Sequence, residues 1–486
     1  MKEKDLGSEC RRVLPSIIIG SGVVLRLLQY FFDRSLSGDE AAMALNVMHR
    51  SLPGFLQPLS LDQAAPPLFL MIEKFFISTL GTNDYALRLF PLLCGCLALP
   101  IFFKVSKTFL NFNASLLALA LVSFSAPLIY YSSEVKPYST DLFVTLILYA
   151  ATASPALFAF TGAVAIWLSY PAIFVFVGLG TAMVLERKVR PLLLPASIWI
   201  LSFSLEYLIY LKRAAMNPAL LRYWAGSFIP FSRNFFQAEN LSTFLQIFHY
   251  PVGLQSYLVY LGAFLFCLGC FSFASREKNK LLCLLLPLGV TLLASALHKY
   301  PFFRINTFPY SGRLLIFLVP SLSIMIAKGA EYLVHKPFAR SLFLKSVLVA
   351  AILFPVLTSK FLREPMVLEQ IKPVMLYIKV HQKPDDLIYV YHGASSAFEY
   401  YSEIWNYKTH ALQGINGRED PALYKQDLER LRGHERVWIL FSHILTQGSN
   451  QEAKLIESDL DALGKKRDSF VSIGAAAYLY DLSGRK

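Results

Sequence analysis

Residues 13–40 read VLPSIIIGSGVVLRLLQYFFDRSLSGDE, and this stretch decides the fold. Its first part is an apolar run that, wound as a helix, is about 30 Å long, the thickness of a bilayer's hydrocarbon core. The run is long for the apolar region of a cleavable signal peptide, and no small-residue cleavage site follows it, so it is expected to stay in place as a signal anchor. The stretch ends on Asp39 and Glu40, two adjacent carboxylates just outside the apolar run. Carboxylates at the mouth of a membrane domain are costly to leave without water, cations or substrate, which makes them the leading candidates for chemistry. Gly38 before them is a turn residue that lets the backbone approach a ligand closely.

Outward from this stretch the same composition continues. The chain has 486 residues, 55% of them hydrophobic and only 16% charged, with a mean hydropathy of +0.47. Soluble domains carry about 25% charged residues, so this balance argues for many membrane spans and against a large aqueous core. The formal net charge of +13 reads as topology. Arg11 and Arg12, Lys104 and Lys107, Arg187, Lys188 and Arg190, Arg276, Lys278 and Lys280, and Lys336 and Arg340 all fall in short loops between apolar runs. Basic loops of that kind face the cytoplasm. No low-complexity basic tail exists, and nucleic acid is not expected as a partner.

With the basic loops placed inside, the N-terminus is cytoplasmic and span 13–32 runs outward to a long outer loop, 33–85. Within that loop, 65–80 is short and interrupted by Pro66, Pro67, Glu73 and Lys74, so it is expected to lie at the interface. Further spans are expected at 86–105, 114–130, 142–154, 156–169, 171–185, 191–211, 252–274, 281–297, 313–330 and 341–358, about eleven in all. The fold class is therefore mainly α, a polytopic transmembrane domain over 1–360. Beyond it, 361–486 has the composition of a soluble domain, and the odd span count places it outside the cytoplasm. The segments DLIYVYH (386–392) and RVWILFS (436–442) read as buried strands, and a third ends around 478–482. Helical patterns at 367–381, 421–432 and 450–463 make this a small α/β module.

Several ionisable residues share the outer face with Asp39 and Glu40. Glu134 and Asp141 flank Lys136 and Tyr138 in the loop after 114–130. Arg88 opens one span and Arg313 another. Each cation taken alone is as well explained by snorkelling to headgroups, and a charged pair after a span by anchoring. As a set they suit a phosphate at the membrane boundary, Arg by a bidentate fork and Lys as a point charge. Other features are bland. Cys267 and Cys270 form a C-x-x-C inside a Leu/Phe-rich span with no second pair, which favours packing over metal binding. His49, His249 and His298 have no paired spacing and read as interfacial polar residues. The acceptor pattern Asn113-Ala114-Ser115 falls on an inner loop and is discounted.

The order GDEAAMAL (38–45), APPLF (65–69), YALRLFPLLCG (85–95) and YYSSEVKPYSTD (130–141) resembles the N-terminal half of the GT-C membrane glycosyltransferases, in the branch of protein O-mannosyltransferases and aminoarabinose transferases. YSGRLLIFLVP (310–320) resembles the family's polar, Arg-bearing start of a late span. The resemblance covers 37–141 well and the remainder by topology. It implies transfer of a sugar from a polyprenyl-phosphate donor to a glycan, lipid or protein acceptor on the extracytoplasmic face of a plasma (inner) membrane. It also implies that Asp39 is the catalytic acid of the first loop with Glu40 as neighbour, that Pro66 and Pro67 belong to the interfacial helix, that Arg88 opens the next span, and that Asp141 is the acid of the second outer loop. Asp39 and Asp141 are then the candidate ligands of a divalent metal, the one cofactor implied. Two departures stand out. Ala65 occupies a position where relatives often carry His or Lys, and Lys136 one where Arg is common.

The chemistry agrees with the resemblance. A lipid phosphate is already a good leaving group, so catalysis needs charge stabilisation more than a general acid. Arg88, Lys136 and Arg313 are candidates for that, with Glu134 and Tyr138 supporting. What remains is deprotonation of the attacking hydroxyl, for which Asp39 is the candidate general base, assisted by Glu40 and Asp141. Inversion by direct displacement and retention through a carboxylate nucleophile both stay open. Two other classes compete: a transporter or flippase of lipid-linked sugars, and a non-catalytic envelope-assembly subunit. Against transport stand the lack of an internal repeat and of acids at mid-span, Glu206 excepted.

Overall fold

The computed structural model of the chain describes residues 2–214, 216–229, 238–302, 311–335, 364–444 and 447–484. The expected span 341–358, with Lys336, Arg340 and Tyr310, lies outside the described residues. The chain forms two units. The first comprises 1–31, 51–75 and 88–365, and the second 32–50, 76–87 and 366–486.

The first unit is helical. Together with the initial helix, Lys2–Phe31, its apolar helices follow the expected spans closely. Across the described chain six helices are long and apolar enough to cross a membrane: 13–31, 84–109, 189–214, 257–276, 278–296 and 312–334. Four shorter apolar helices, Phe112–Ser123, Tyr138–Ala151, Pro155–Leu168 and Ala172–Leu185, lie among them. This is a multi-pass membrane protein. One expected span is corrected: 114–130 is not continuous but two helices, Phe112–Ser123 and Ala126–Tyr131. Pro127 sits in the first turn of the second helix, where its missing N–H is tolerated, and it cannot extend the helix that ends at Ser123.

That break has a partner. Arg26, fully buried midway along the first span, donates to the carbonyls of Ser123 at 3.0 Å and Val122 at 3.3 Å, and to Gly22 at 2.9 Å. The last carbonyls of a helix have no intrahelical donor, so the broken helix supplies acceptors that a continuous one would not. Elsewhere the packing uses close backbone approach. A Cβ on Gly269 would lie 2.1 Å from the Met325 carbonyl oxygen, and one on Gly329 1.9 Å from that of Leu265. The helices Tyr257–Arg276 and Val319–Val334 therefore meet backbone to backbone, as small residues permit in membranes.

The second unit holds a five-stranded sheet: β1 (Leu387–Val390), β2 (His410–Gln413), β3 (Val437–Ser442), β4 (Lys465–Ser472) and β5 (Ala475–Asp481). Its order is β2-β1-β3-β5-β4. β1 pairs parallel with β2 and β3, while β5 pairs antiparallel with β3 and β4. Parallel neighbours need crossovers, and the helices Ser395–Ile404 and Ala422–Leu428 supply them. The turn from β4 to β5 is two residues long, and Gly474 at φ 65° provides its left-handed position. Every residue of β3 is buried, in a core with Tyr389, Leu428, Ile456, Leu460 and Tyr480. The helix Ser395–Ile404 also packs on the helix Gly38–His49, from the segment that follows the first span.

Candidate functional site

The residues nominated by sequence divide between the units. Asp39 and Glu40 belong to the second; Pro66, Pro67, Arg88, Glu134, Lys136, Tyr138, Asp141 and Arg313 belong to the first.

In the second unit the chain enters the Gly38–His49 helix through a capping box. The Ser37 hydroxyl accepts from the Glu40 N–H at 3.3 Å, and Glu40 Oε2 accepts from the Ser37 N–H at 3.1 Å. Glu40 also receives Arg34, Nη1 to Oε2 at 2.5 Å and Nη2 to Oε1 at 3.3 Å, with both side chains buried. Both Glu40 oxygens are thereby committed to holding the first turn. Asp39 is only half-buried. It stands in the first turn, where the helix end carries partial positive charge that favours a carboxylate.

Gly38 lies against the loops that leave β1 and β3. A Cβ there would be 3.4 Å from the Gly393 carbonyl oxygen and 3.4 Å from Nδ1 of His443. His443 follows β3 directly and holds φ 62°, a left-handed conformation uncommon outside glycine. Its Nδ1 lies 3.0 Å from Oε2 of the buried Glu369, whose Oε1 accepts from the Ser442 hydroxyl at 2.9 Å. Burial alone would lower the His443 pKa, but the carboxylates of Glu369 and then Asp39 raise it to about 9, against the opposing charge of Arg418. His392, directly after β1, goes the other way: burial, then Arg418, lowers it to about 4. Neither of its ring nitrogens has a hydrogen-bond partner among the described residues. Beside it Arg418 donates Nε to Glu452 at 2.9 Å, and the Tyr391 hydroxyl donates to the same carboxylate.

A second anchor holds the neighbouring chain segment. Asp84 accepts from the hydroxyls of Tyr400 at 2.9 Å and Tyr401 at 2.8 Å and from Lys372 Nζ at 3.1 Å. The Tyr401 hydroxyl in turn accepts from the Leu36 N–H at 2.7 Å. The approach to Asp39 and the segment 76–87 are thus tied to one helix of the α/β module.

In the first unit, Pro67 begins the helix Pro67–Leu80, whose 14 residues span about 21 Å, less than the hydrocarbon core. Lys136 Nζ donates to Gln63 Oε1 at 2.5 Å. The guanidinium of Arg313 lies 5.9 Å from the ring centres of both Tyr138 and Trp224. Tyr138 packs edge-on against Tyr131 at 4.9 Å, and Tyr131 against Tyr250 at 6.1 Å. Asp141 is buried in the first turn of Tyr138–Ala151, and its Oδ1 has no hydrogen-bond partner among the described residues. Arg88 and Glu134 are buried as well. Lys136, Tyr138, Asp141 and Arg313 are therefore joined by one short helix entry and the aromatic rings around it. Among the described residues no three His, Cys, Asp or Glu side chains are grouped to hold a metal ion, so no step is assigned to one here.

Sequence reasoning passed over Arg34, Glu369 and His443. Ser37 and Glu40 carry a readable signal, the S-x-x-E spacing of a capping box, which marks Glu40 as a helix-start residue. His443 is signalled only weakly, by its position at the carboxyl end of a buried strand, where open α/β sheets place their ligands. Nothing in the sequence joins Glu369 to it.

No family profile matches the chain, and no curated protein does. Solved structures do. ArnT from Cupriavidus metallidurans, bound to undecaprenyl phosphate, matches with a TM-score of 0.51 at 12% identity, over 98% of this chain and 99% of that one. The Archaeoglobus fulgidus oligosaccharyltransferase, in complex with Zn and sulfate, matches with a TM-score of 0.57 at 12% identity, over 96% and 72%. The archaeal oligosaccharyltransferase AglB from the same organism, with an inhibitory peptide and a dolichol-phosphate, gives 0.51 at 11%, over 96% and 74%. Identities this low speak to fold alone, and the fold is GT-C-like, as the sequence resemblance implies.

Proposed function

We propose that the protein is an integral membrane glycosyltransferase that moves a sugar from a polyprenyl-phosphate donor to an acceptor hydroxyl on the extracytoplasmic face. The observation that carries this reading is the first turn of the Gly38–His49 helix. There Glu40 is locked by Arg34 and the cap, and Asp39 is left half-buried at the positive helix end beside a charged cluster. The GT-C-like fold supports it, because the matched structures hold undecaprenyl phosphate and dolichol-phosphate.

In this reading Asp39 accepts the proton of the acceptor hydroxyl as its oxygen bonds to the anomeric carbon. The bond from that carbon to the phosphate oxygen breaks, and the electron pair leaves with the lipid phosphate. Arg88, Lys136 and Arg313 offset the charge that develops on the phosphate, with Tyr138 and Glu134 setting the positions of the cations and Asp141 assisting from the second outer loop. Glu40 is assigned to orienting Asp39 and not to proton transfer. In a single displacement the anomeric centre inverts. The N-terminus is placed in the cytoplasm and the α/β module outside it, at the plasma (inner) membrane. A divalent cation could add charge stabilisation near Asp39 or Asp141, but no step above depends on it.

A transporter of the same lipids is the second reading, and one observation favours it. Glu73 and Glu206 are buried in helices of the first unit, with both carboxylate oxygens of each lacking a hydrogen-bond partner among the described residues. Release of polyprenyl phosphate by the purified protein separates the two. With a panel of polyprenyl-phosphate sugars and a crude acceptor extract, wild type should release lipid phosphate and Asp39→Asn should lose about 100-fold or more of that rate, as expected for removal of a general base. No release from any donor, with wild type and variant binding the lipids alike, would move transport to the front.

A further inference from the structure

We infer that His443, held by Glu369, is a positioning residue for the Asp39 carboxylate, an inference that rests on the reading of Asp39 as the base. Four observations, all within the second unit, carry it.

The first is topological. β1 feeds a crossover to β2 on one side of it, while β3 lies on its other side, so the ends of β1 and β3 form the point where the strand order reverses. Open α/β sheets use the crevice beyond such strand ends for ligands. Here that edge receives the first turn of the Asp39 helix: Gly38 sits against the Gly393 carbonyl and the His443 ring, close enough that an added Cβ would be 3.4 Å from each. The second is the fixed imidazole. Nδ1 is 3.0 Å from the Glu369 carboxylate, so it is the nitrogen that carries the proton toward Glu369, and Nε2 is left for another partner. The third is the scaffold behind it. Glu369 is buried, and its other oxygen is tied by the Ser442 hydroxyl at 2.9 Å, so the acid that orients the ring is itself oriented. The fourth is backbone conformation. His443 holds φ 62° directly after a fully buried strand, and non-glycine residues in that region concentrate where the surroundings demand a particular side-chain placement.

The electrostatics agree with the geometry, since the Asp39 charge is among those acting on the His443 ring. The buried Glu369 fixes the imidazole, the imidazole lies against the helix turn that carries Asp39, and through that packing and its charge His443 sets where Asp39 points and how it is solvated. Its expected effect is on turnover, not on donor affinity. A bland alternative is that the pair only fastens the Gly38–His49 helix to the module.

A double-mutant cycle in the purified full-length protein decides between them, with lipid-phosphate release as the readout. His443→Asn keeps a donor where Nδ1 stands and tolerates the left-handed backbone, so the bond to Glu369 is retained while the far nitrogen and the charge are lost. We expect kcat to fall about 10- to 100-fold with the donor KM within about twofold, the scale of a misplaced catalytic group. In the Asp39→Asn background the same change should cost nothing further, because His443 acts through Asp39. Glu369→Gln, which keeps the shape of the dyad, should reproduce the pattern more weakly and guards against a His443 variant that fails to fold. Wild-type kcat in folded His443→Asn, or a loss that multiplies with Asp39→Asn, would overturn the positioning role and leave Asp39 in place. Wild-type release by Asp39→Asn would instead remove the reading beneath it, and the inference with it.

Discussion

At the scale of single residues, the site is organised by how deeply each carboxylate is enclosed. Asp39 and Glu40 are neighbours in sequence with opposite environments. Glu40 is enclosed, with Arg34 and a backbone N–H on its oxygens, and Asp39 is half-exposed on the next position of the same turn. Adjacent helix residues point about 100° apart, which is why one pair yields one fully buried acid and one half-exposed acid. Sequence shows the pair and its spacing from Ser37 but not this division, because Arg34 finds Glu40 only once the chain turns at the helix cap. The division predicts an asymmetric response to mutation. Arg34→Met strands a buried carboxylate and should destabilise the protein by about 3–5 kcal/mol. Adding Glu40→Met removes the stranded charge and should recover most of that, short of about 1 kcal/mol for the lost cap. Apparent melting temperatures of the purified single and double variants test this; a double variant less stable than Arg34→Met would show that Glu40 does more than pair and cap.

At the scale of elements, the first turn of that helix is held from two directions. Tyr401 gives its hydroxyl proton to Asp84 and takes the Leu36 N–H, so one phenol on the helix Ser395–Ile404 ties both loop segments. Tyr401→Phe leaves the buried Leu36 N–H without an acceptor, at about 1–3 kcal/mol. Tyr400→Phe takes one bond from an Asp84 that still has Tyr401 and Lys372, and should cost about 1 kcal/mol. Chemical denaturation of the two variants in detergent should rank them in that order, and equal stability would show that Leu36 finds another acceptor. The elements legible in the sequence were those with strong apolar signals: the long spans, β1, β3 and the end of β5. Four others were not. β2 is four residues long with no fully buried position, and β4 (KKRDSFVS) opens on four charged residues and runs along the sheet edge with no fully buried position. Ser395–Ile404 begins on two serines after a 3-10 turn, and its aromatic residues find their partners far away in sequence, in Asp84, Leu36 and the Gly38–His49 helix. The break at 124–125 is signalled by Pro127 alone, within a run otherwise apolar enough to read as one span.

At the scale of the whole molecule, chain order and structural order part company. Composition changes sharply near 361, which reads as a membrane domain followed by a soluble one. Contacts instead gather 32–50 and 76–87, both from the stretch between the first two spans, with 366–486. No local pattern announces such long-range tertiary pairing, since each segment satisfies its own periodicity wherever it docks. The consequence for function is that the module cannot be treated as an appendage. A chain ending at 365 would keep Asp39, Arg88, Lys136, Asp141 and Arg313, yet would lose the Tyr401 acceptor for Leu36, every Asp84 partner named above, and the His443 and Glu369 pair beside Gly38. Such a chain is expected to insert in the membrane, because its spans are unchanged, but to release lipid phosphate at background rate. Hydrogen exchange gives the physical readout. Amides of Gly38–His49 should lose protection in the truncated chain while those of Tyr257–Arg276, which pack within the first unit, should not. Residues 366–486 expressed alone should in turn aggregate, because the face that carries Tyr400 and Tyr401 is then uncovered. Retained turnover by the shortened chain would mean that the Asp39 turn is set by the membrane unit, and would reduce the module to a separate attachment.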